Sequence, residues 1–308
     1  MQFALNPAIV SVLGIYLFIG VGYLAKRSFT TRIDERTITL LSVYFLQIFL
    51  TFWGLLKRPV DTTLLAAPLL YVGITLSLVA LTAMLSRMMF ADAKERSIAT
   101  VAALIGNTGN LGIPLGIALF GEASVPYTTI INLANVFFVY TFGVYYYSRG
   151  NFSMRDSLLN IVKLPVLWAA LIAIALNVGG YQPSETVEKT LMMGAYASMV
   201  MQLVLFGIYL YDTKLKQINR MLIGWVGGMK FLAVPAVTYA ALSLTELEPM
   251  VKGVLLMEML MPLAVANVNL GSLYDCRPKE ITALVFITSV LFLGIIFIAM
   301  KLVPWFNF

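Results

Sequence analysis

Residues 106–114 read Gly106-Asn107-Thr108-Gly109-Asn110-Leu111-Gly112-Ile113-Pro114, three glycines and a proline within nine positions. The surrounding chain, from about 94 to 120, is apolar for long enough to cross a hydrocarbon core of about 30 Å. Glycine and proline at that depth break a helix, with Gly109, Gly112 and Pro114 as the breaking residues. Lipid cannot satisfy the freed backbone, so the unwound chain must be buried in protein or line a watery cavity. A second stretch repeats the design: Met261-Pro262-Leu263-Ala264-Val265-Ala266-Asn267-Val268-Asn269-Leu270-Gly271, in which Pro262 makes the break. One such interruption is easily a packing kink. Two at matching places, each with paired asparagines, point to a site built from half-helix ends.

The rest of the chain is of the same kind. Of 308 residues, 60% are hydrophobic and 12% charged, and the mean hydropathy is +0.88; a soluble domain carries about twice that charge. Apolar runs recur near residues 8–25, 38–56, 64–88, 94–120, 124–148, 157–178, 187–211, 221–243, 250–274 and 280–303. The expected fold class is therefore an all-α integral membrane protein of about ten transmembrane helices. The first run follows a neutral Met1–Pro7 and lacks the basic flank and cleavage site of a signal peptide, so it reads as a span.

Loops after spans one, three, five, seven and nine hold fifteen basic residues: Lys26, Arg27, Arg32, Arg36; Arg87, Lys94, Arg96; Arg149, Arg155, Lys163; Lys214, Lys216, Arg220; Arg277 and Lys279. The opposite face holds five: Lys57, Arg58, Lys189, Lys252 and Lys301. The positive-inside rule makes the first face cytoplasmic, with both termini outside a cell (inner) membrane crossed many times. The net charge of +6 sits in short loops without aromatic interleaving, so it reads as topology and not as a nucleic-acid surface.

Ten spans divide into five plus five, residues 1–155 and 156–308, and an odd number inverts the second half in the membrane. Phe45-Leu46-Gln47-Ile48-Phe49-Leu50 and Val200-Met201-Gln202-Leu203-Val204-Leu205 place one glutamine at corresponding depth in each half, and the two broken spans are the fourth of each half. These stretches also carry a resemblance: GNTGNLGIPLGIALFG, PLAVANVNLGSLYD, and Lys230 followed by Pro235 are similar to the auxin efflux carrier family, which includes plant PIN-type carriers and bacterial organic-acid transporters, with bile-acid sodium symporters more distantly similar. The resemblance implies a homodimer, a scaffold of spans one, two, six and seven, and a moving domain of spans three to five and eight to ten whose broken helices four and nine cross. It implies elevator-type alternating access for an organic anion. Spans two and seven depart from the pattern where the family often has proline, around Gln47–Leu50 and Met201–Leu205.

Lys230 lies about ten residues beyond Arg220, about 15 Å into the membrane. A lysine there binds substrate, forms a structural ion pair, or snorkels. Glu258, four residues before Pro262, is the clearest carboxylate within a span, a candidate for a coupling cation or a partner for Lys230. Asn107, Asn110, Asn267 and Asn269 can each donate to a carboxylate or coordinate a cation, at least one of them serving as a cap. Gln47 and Gln202 contact substrate or bond between helices. Asn132 and Asn135 read as packing contacts, and Tyr145, Tyr146, Tyr147, Trp225 and Trp305 as interfacial anchors.

With no histidine and a single cysteine, Cys276, an internal disulfide and imidazole chemistry are excluded, and one cysteine does not make a thiolate metal site. No cofactor is expected beyond a coupling sodium ion, near Glu258, or a proton. There is no G-x-x-x-x-G-K-[ST] phosphate loop for ATP drive. The leading expectation is a secondary transporter of small organic anions, auxin-like acids included. The alternatives are a sodium-coupled importer, a channel or receptor, and, for want of paired catalytic groups, last an intramembrane enzyme.

Cysteines introduced around Arg36, Arg96 and Lys216, in a Cys276→Ser background, should resist impermeant thiol reagents on intact cells. Efficient labelling there, with none at the termini, would reverse the orientation.

Overall fold

The computed structural model describes residues 7–29, 33–148, 164–211 and 219–306. Arg32, Arg149, Arg155, Lys163, Lys214, Lys216 and residues 157–163 of the sixth apolar run lie outside the described residues. Among the described residues every regular element is helical: α1 Pro7–Ser28, α2 Thr37–Leu56, α3 Thr62–Met89, α4 Ala93–Val101, α5 Thr108–Phe120, α6 Glu122–Tyr147, α7 Pro165–Val178, α8 Glu185–Tyr211, α9 Arg220–Ser243, α10 Pro249–Leu260, α11 Ala266–Leu273 and α12 Pro278–Leu302. Six of these, α2, α3, α6, α8, α9 and α12, are long and apolar enough to cross a membrane, and α5 and α7 are shorter apolar helices.

Local chemistry sets the ends. Asp61 accepts from the Leu64 amide at 2.7 Å to start α3, and Asp92 accepts from the Glu95 amide at 2.9 Å to start α4. The Leu64 amide, with Arg58 beside it, holds the Asp61 carboxyl below its ordinary range. Prolines open α7, α10 and α12, where a missing N–H costs nothing. At the far end of α2, Asn177 from α7 does the capping: its Nδ2 donates to the carbonyls of Leu55 and Arg58, both at 2.7 Å, and its Oδ1 accepts from the Val60 amide at 2.9 Å.

Two groups of helices emerge from the packing. Helix α1 lies along α8, and α2 lies against α7 and α8; separately, α3 packs on α4 and α6, and α10 on α6 and α9. The groups meet where α2 crosses α6 and where α1 and α8 reach α5. Between α1 and α8 the backbones touch through glycine. A methyl group on Gly22 would overlap the Val204 carbonyl, and one on Gly207 the Ile19 carbonyl. In lipid, where apolar surface alone does not drive helices together, such close approach supplies the dispersion contact that does.

Gly22→Ala and Gly207→Ala should each force the two backbones apart and cost about 1–3 kcal/mol, as overpacking does. Gly73→Ala in α3, where a methyl group meets nothing within 4 Å, is the control. Thermal melting in detergent should fall for the first two and stay level for the third; three equal melting points would disprove the close packing.

Candidate functional site

The first break begins where α4 tightens through Ala102–Leu104 and ends at Ile105, before α5 restarts at Thr108 with one wide turn, Thr108–Gly112. In the second, Pro262 and its neighbours separate α10, ending at Leu260, from α11, beginning at Ala266. The interruptions lie against each other. Gly106 and Leu263 form an antiparallel bridge in which the Asn107 amide donates to the Pro262 carbonyl at 2.8 Å and the Ala264 amide to the Ile105 carbonyl at 2.9 Å. Side chains satisfy what remains, Asn135 Nδ2 donating to the Gly106 carbonyl at 2.9 Å and the Leu263 amide to Thr288 Oγ1 at 3.3 Å, while Asn267 Nδ2 adds a second donor to the Ile105 carbonyl at 3.1 Å. Two helices broken in the interior thus repair each other's backbone.

Beside this pairing is a cavity of about 300 Å³. Its wall combines both breaks (Gly106, Asn107, Thr108, Gly109, Asn110; Ala264, Val265, Ala266, Asn269) with Gln47 of α2, Asn132, Asn135 and Tyr140 of α6, Val166 of α7 and Leu205 of α8. Thr39 and Tyr209 also line it, their hydroxyls 3.2 Å apart near the α2 and α8 ends that adjoin basic loops. Towards the opposite face, α2 and α5 are sealed by an apolar cluster of Leu50, Trp53, Ile113, Val125, Ala195 and Met199. Beyond it Lys57 bonds Glu122 at 2.6 Å, and Tyr196 OH donates to the same carboxylate at 3.2 Å.

Lys230 and Glu258 stand behind the wall, not in it. Pro235 has no N–H for the carbonyl one turn earlier, and α9 widens at Met229–Ala233 just ahead of it, carrying Lys230 inward to 2% exposure. A methyl group on Gly106 would sit 3.2 Å from Lys230 Nζ, so only glycine backbone separates the ammonium from the cavity lining. At Gly112 a methyl group would overlap the Glu258 carboxylate, so glycine lets that group close on the first turn of α5, outside the cavity lining. Among the described residues neither Glu258 oxygen, both fully buried, has a hydrogen-bond partner, Lys230 included. Gly109 in turn admits Asn132, whose Oδ1 would lie 2.7 Å from an added methyl group. The three glycines, three residues apart, let three polar side chains press against the unwound chain.

Of the residues selected from sequence, Asn107, Asn110, Asn269 and Gln47 line the cavity. Gln202, Asn267, Lys230 and Glu258 do not. Gln202 is turned into the bundle, its Nε2 on Ser198 Oγ at 2.9 Å, because α8 presents Leu205 to the cavity one turn later. Asn267 is the backbone cap of the four asparagines, held also by Tyr147 OH on its Oδ1 at 2.7 Å. Pro114 begins the regular part of α5. Tyr147 corrects the reading of an interfacial anchor: it is fully buried and serves the break.

Asn132 and Asn135 are more than packing contacts, since Thr108 Oγ1 donates to Asn132 Oδ1 and accepts from Asn135 Nδ2, both at 2.9 Å, and both asparagines line the cavity. Their i, i+3 spacing on an apolar helix was the available signal. Among the described residues no three His, Cys, Asp or Glu side chains gather as a metal site.

An uncharacterized transporter of Methanocaldococcus jannaschii is 27% identical over 194 residues, 61% of this chain and 62% of that protein, so the match spans less than two thirds of the relative. The membrane transport protein family matches residues 7–300, which include both breaks, Lys230 and Glu258. This multi-pass membrane protein belongs to that family, the auxin-efflux-carrier-like membrane transporters.

Proposed function

We propose that the chain is a secondary carrier of small organic anions, taking a carboxylate through the cavity at the paired breaks by alternating access. The observation that carries the reading is that one cavity is walled by both breaks and backed by Lys230 across a glycine. Thr108, Gly109 and Asn110 open α5, so their amides precede its internal hydrogen-bond ladder and offer the positive end of the helix dipole. Asn107 adds a side-chain amide, 3% exposed, whose Nδ2 has no partner among the described residues. Donors without acceptors beside a lysine suit an anion.

The carrier frame is ten spans as two inverted repeats, residues 1–155 and 156–308, with α4–α5 and α10–α11 as crossing fourth and ninth spans. Helices α1, α2, α7 and α8 form the scaffold, supported by their mutual packing, and α3–α6 with α9–α12 move against it. The homodimer rests on the scaffold, the basic face is cytoplasmic, and the cavity beside Thr39 and Tyr209 faces that side while the apolar cluster closes the other.

A second reading, sodium-coupled import, is favoured by Glu258. Burying an unbonded carboxylate costs several kcal/mol unless a proton or cation neutralises it. Glu258 next to unwound backbone is where either coupling partner would act.

A charge held about 7 Å from a carboxylate at an effective dielectric of about 20 contributes about 2 kcal/mol, about thirtyfold in affinity. Lys230→Gln should therefore weaken carboxylate binding by about that factor, and Asn107→Ala by about tenfold through loss of one charge-assisted bond. Gln202→Ala, outside the cavity, should leave affinity unchanged. Calorimetric titration of the folded variants with a panel of mono- and dicarboxylic acids checks the order; full affinity in Lys230→Gln would refute the anion reading.

Glu258→Gln mimics the protonated carboxyl. With proton coupling, proteoliposomes carrying this variant should keep substrate exchange and lose the response to an imposed pH gradient. With sodium coupling they should lose sodium stimulation instead. Wild-type dependence on both gradients would remove Glu258 from coupling.

A further inference from the structure

A second cavity, of about 310 Å³, lies away from the paired breaks, where α3, α4 and the end of α6 come together, and Arg87, Arg96, Tyr145 and Tyr146 line it. It sits at the membrane boundary, because α3 ends at Met89 and α6 at Tyr147, both helices long and apolar enough to span. Among the described residues the two guanidinium groups there have no carboxylate partner, and the reason lies in how the neighbouring acids are used. Arg277 binds Glu95 at 2.9 Å, Glu280 at 2.7 Å and Asp92 at 3.4 Å, while Lys94 takes Asp275 at 2.8 Å. Among the described residues, each of these carboxylates is committed to a cation other than Arg87 or Arg96.

The hydroxyls in the wall are committed too. Ser86 Oγ and Thr100 Oγ1 share a hydrogen bond at 2.9 Å, Thr100 Oγ1 donates to the Arg96 carbonyl at 2.7 Å, and Ser97 Oγ donates to the Ala93 carbonyl at 3.0 Å. The donors left facing the space are the two arginine forks and the tyrosine hydroxyls. Tyr145 and Tyr146 meet edge to face with centroids 5.3 Å apart, which makes that wall stiff. Planar forks of this kind match phosphate oxygens two at a time, as a lysine does not.

We infer that this corner is a binding site for a phosphate ester, with the headgroup of an anionic phospholipid as its source. The flank of the cavity favours the lipid over a soluble phosphate: Met84 is 56% and Met88 80% exposed on α3, an apolar surface for an acyl chain beside a basic pocket at headgroup depth. The site would tie lipid composition to α4, the helix that runs into the first break. It does not depend on the substrate assigned to the central cavity.

The test uses the purified full-length protein in detergent, with phosphatidylglycerol, phosphatidylcholine and glycerol 3-phosphate as probes. Native mass spectrometry and thermal shift should show retained phosphatidylglycerol and a raised melting temperature, with phosphatidylcholine doing neither. The double variant Arg87→Gln/Arg96→Gln should bind phosphatidylglycerol at least tenfold more weakly. Lys94→Gln, which removes a neighbouring cation paired with Asp275, should bind it as wild type does. Arg87→Lys keeps the charge and removes the fork, so it should show a partial loss even if the double variant folds poorly. Equal binding of glycerol 3-phosphate would make the ligand a soluble phosphate ester and overturn the lipid assignment. Undiminished phosphatidylglycerol binding in both arginine variants, or no binding of any probe to wild type, would overturn the site.

Discussion

Unwound backbone in an apolar bundle must find hydrogen bonds inside the protein, and the rest of this structure follows from how that requirement is met. Each amide or carbonyl left bare at such depth costs several kcal/mol. Neither break can satisfy itself, because the residues four positions away that would serve it in a helix have turned elsewhere. Pairing Ile105 and Asn107 with Ala264 and Pro262 solves both at once. It also fixes where α4, α5, α10 and α11 lie relative to one another. Asn135 and Thr288 are then recruited to the Gly106 carbonyl and the Leu263 amide that a two-bond bridge cannot reach, and Asn267 adds a second donor to the Ile105 carbonyl.

Pairing along one edge leaves the other edge of the unwound chain exposed, and that edge is the cavity wall. Glycine makes this wall thin. At Gly106 the absence of a side chain lets Lys230 approach the lining from behind, so its field acts through a single peptide, and at Gly112 it lets Glu258 close on the first turn of α5. Neither group has to touch a ligand to influence it. Lys230 and Glu258 are each packed against their own glycine, Gly106 and Gly112, and no hydrogen bond joins them. A carboxylate kept without hydrogen bonds is a standing destabilisation, which is the kind of local conflict expected at a functional position.

The seal on the far side is of different character. Leu50, Trp53, Ile113 and their neighbours close it by dry contact, with the Lys57–Glu122 pair and Tyr196 at the rim. An exposed ion pair of this kind contributes at most about 1 kcal/mol. Contacts that weak between α2, α8 and the α5–α6 turn can be exchanged, whereas the backbone bridge at the breaks cannot be given up without baring polar groups.

Composition, hydropathy and the placement of glycine and proline determined, from the sequence alone, that the chain is helical and membrane-embedded and where its interruptions fall. Those signals are local: about twenty apolar residues span a membrane, and Gly-Asn-Thr-Gly or Met-Pro-Leu cannot continue a helix in any surroundings. Lys230, Glu258 and the four asparagines were legible as candidates because polar groups at that depth are costly wherever they point. The direction in which each points was decided by tertiary structure. Gln47 and Gln202 occupy matching sequence positions, yet only Gln47 reaches the cavity, since rotation about a helix axis is set by what packs against it. Tyr147 and Asn135 look like an anchor and a packing residue until the breaks are brought beside them, the Asn267 side chain from 120 positions away beside Tyr147 and the Gly106 carbonyl beside Asn135. Side-chain roles at this site are assigned by which backbone groups remain unsatisfied, and that is known only once the two breaks have met.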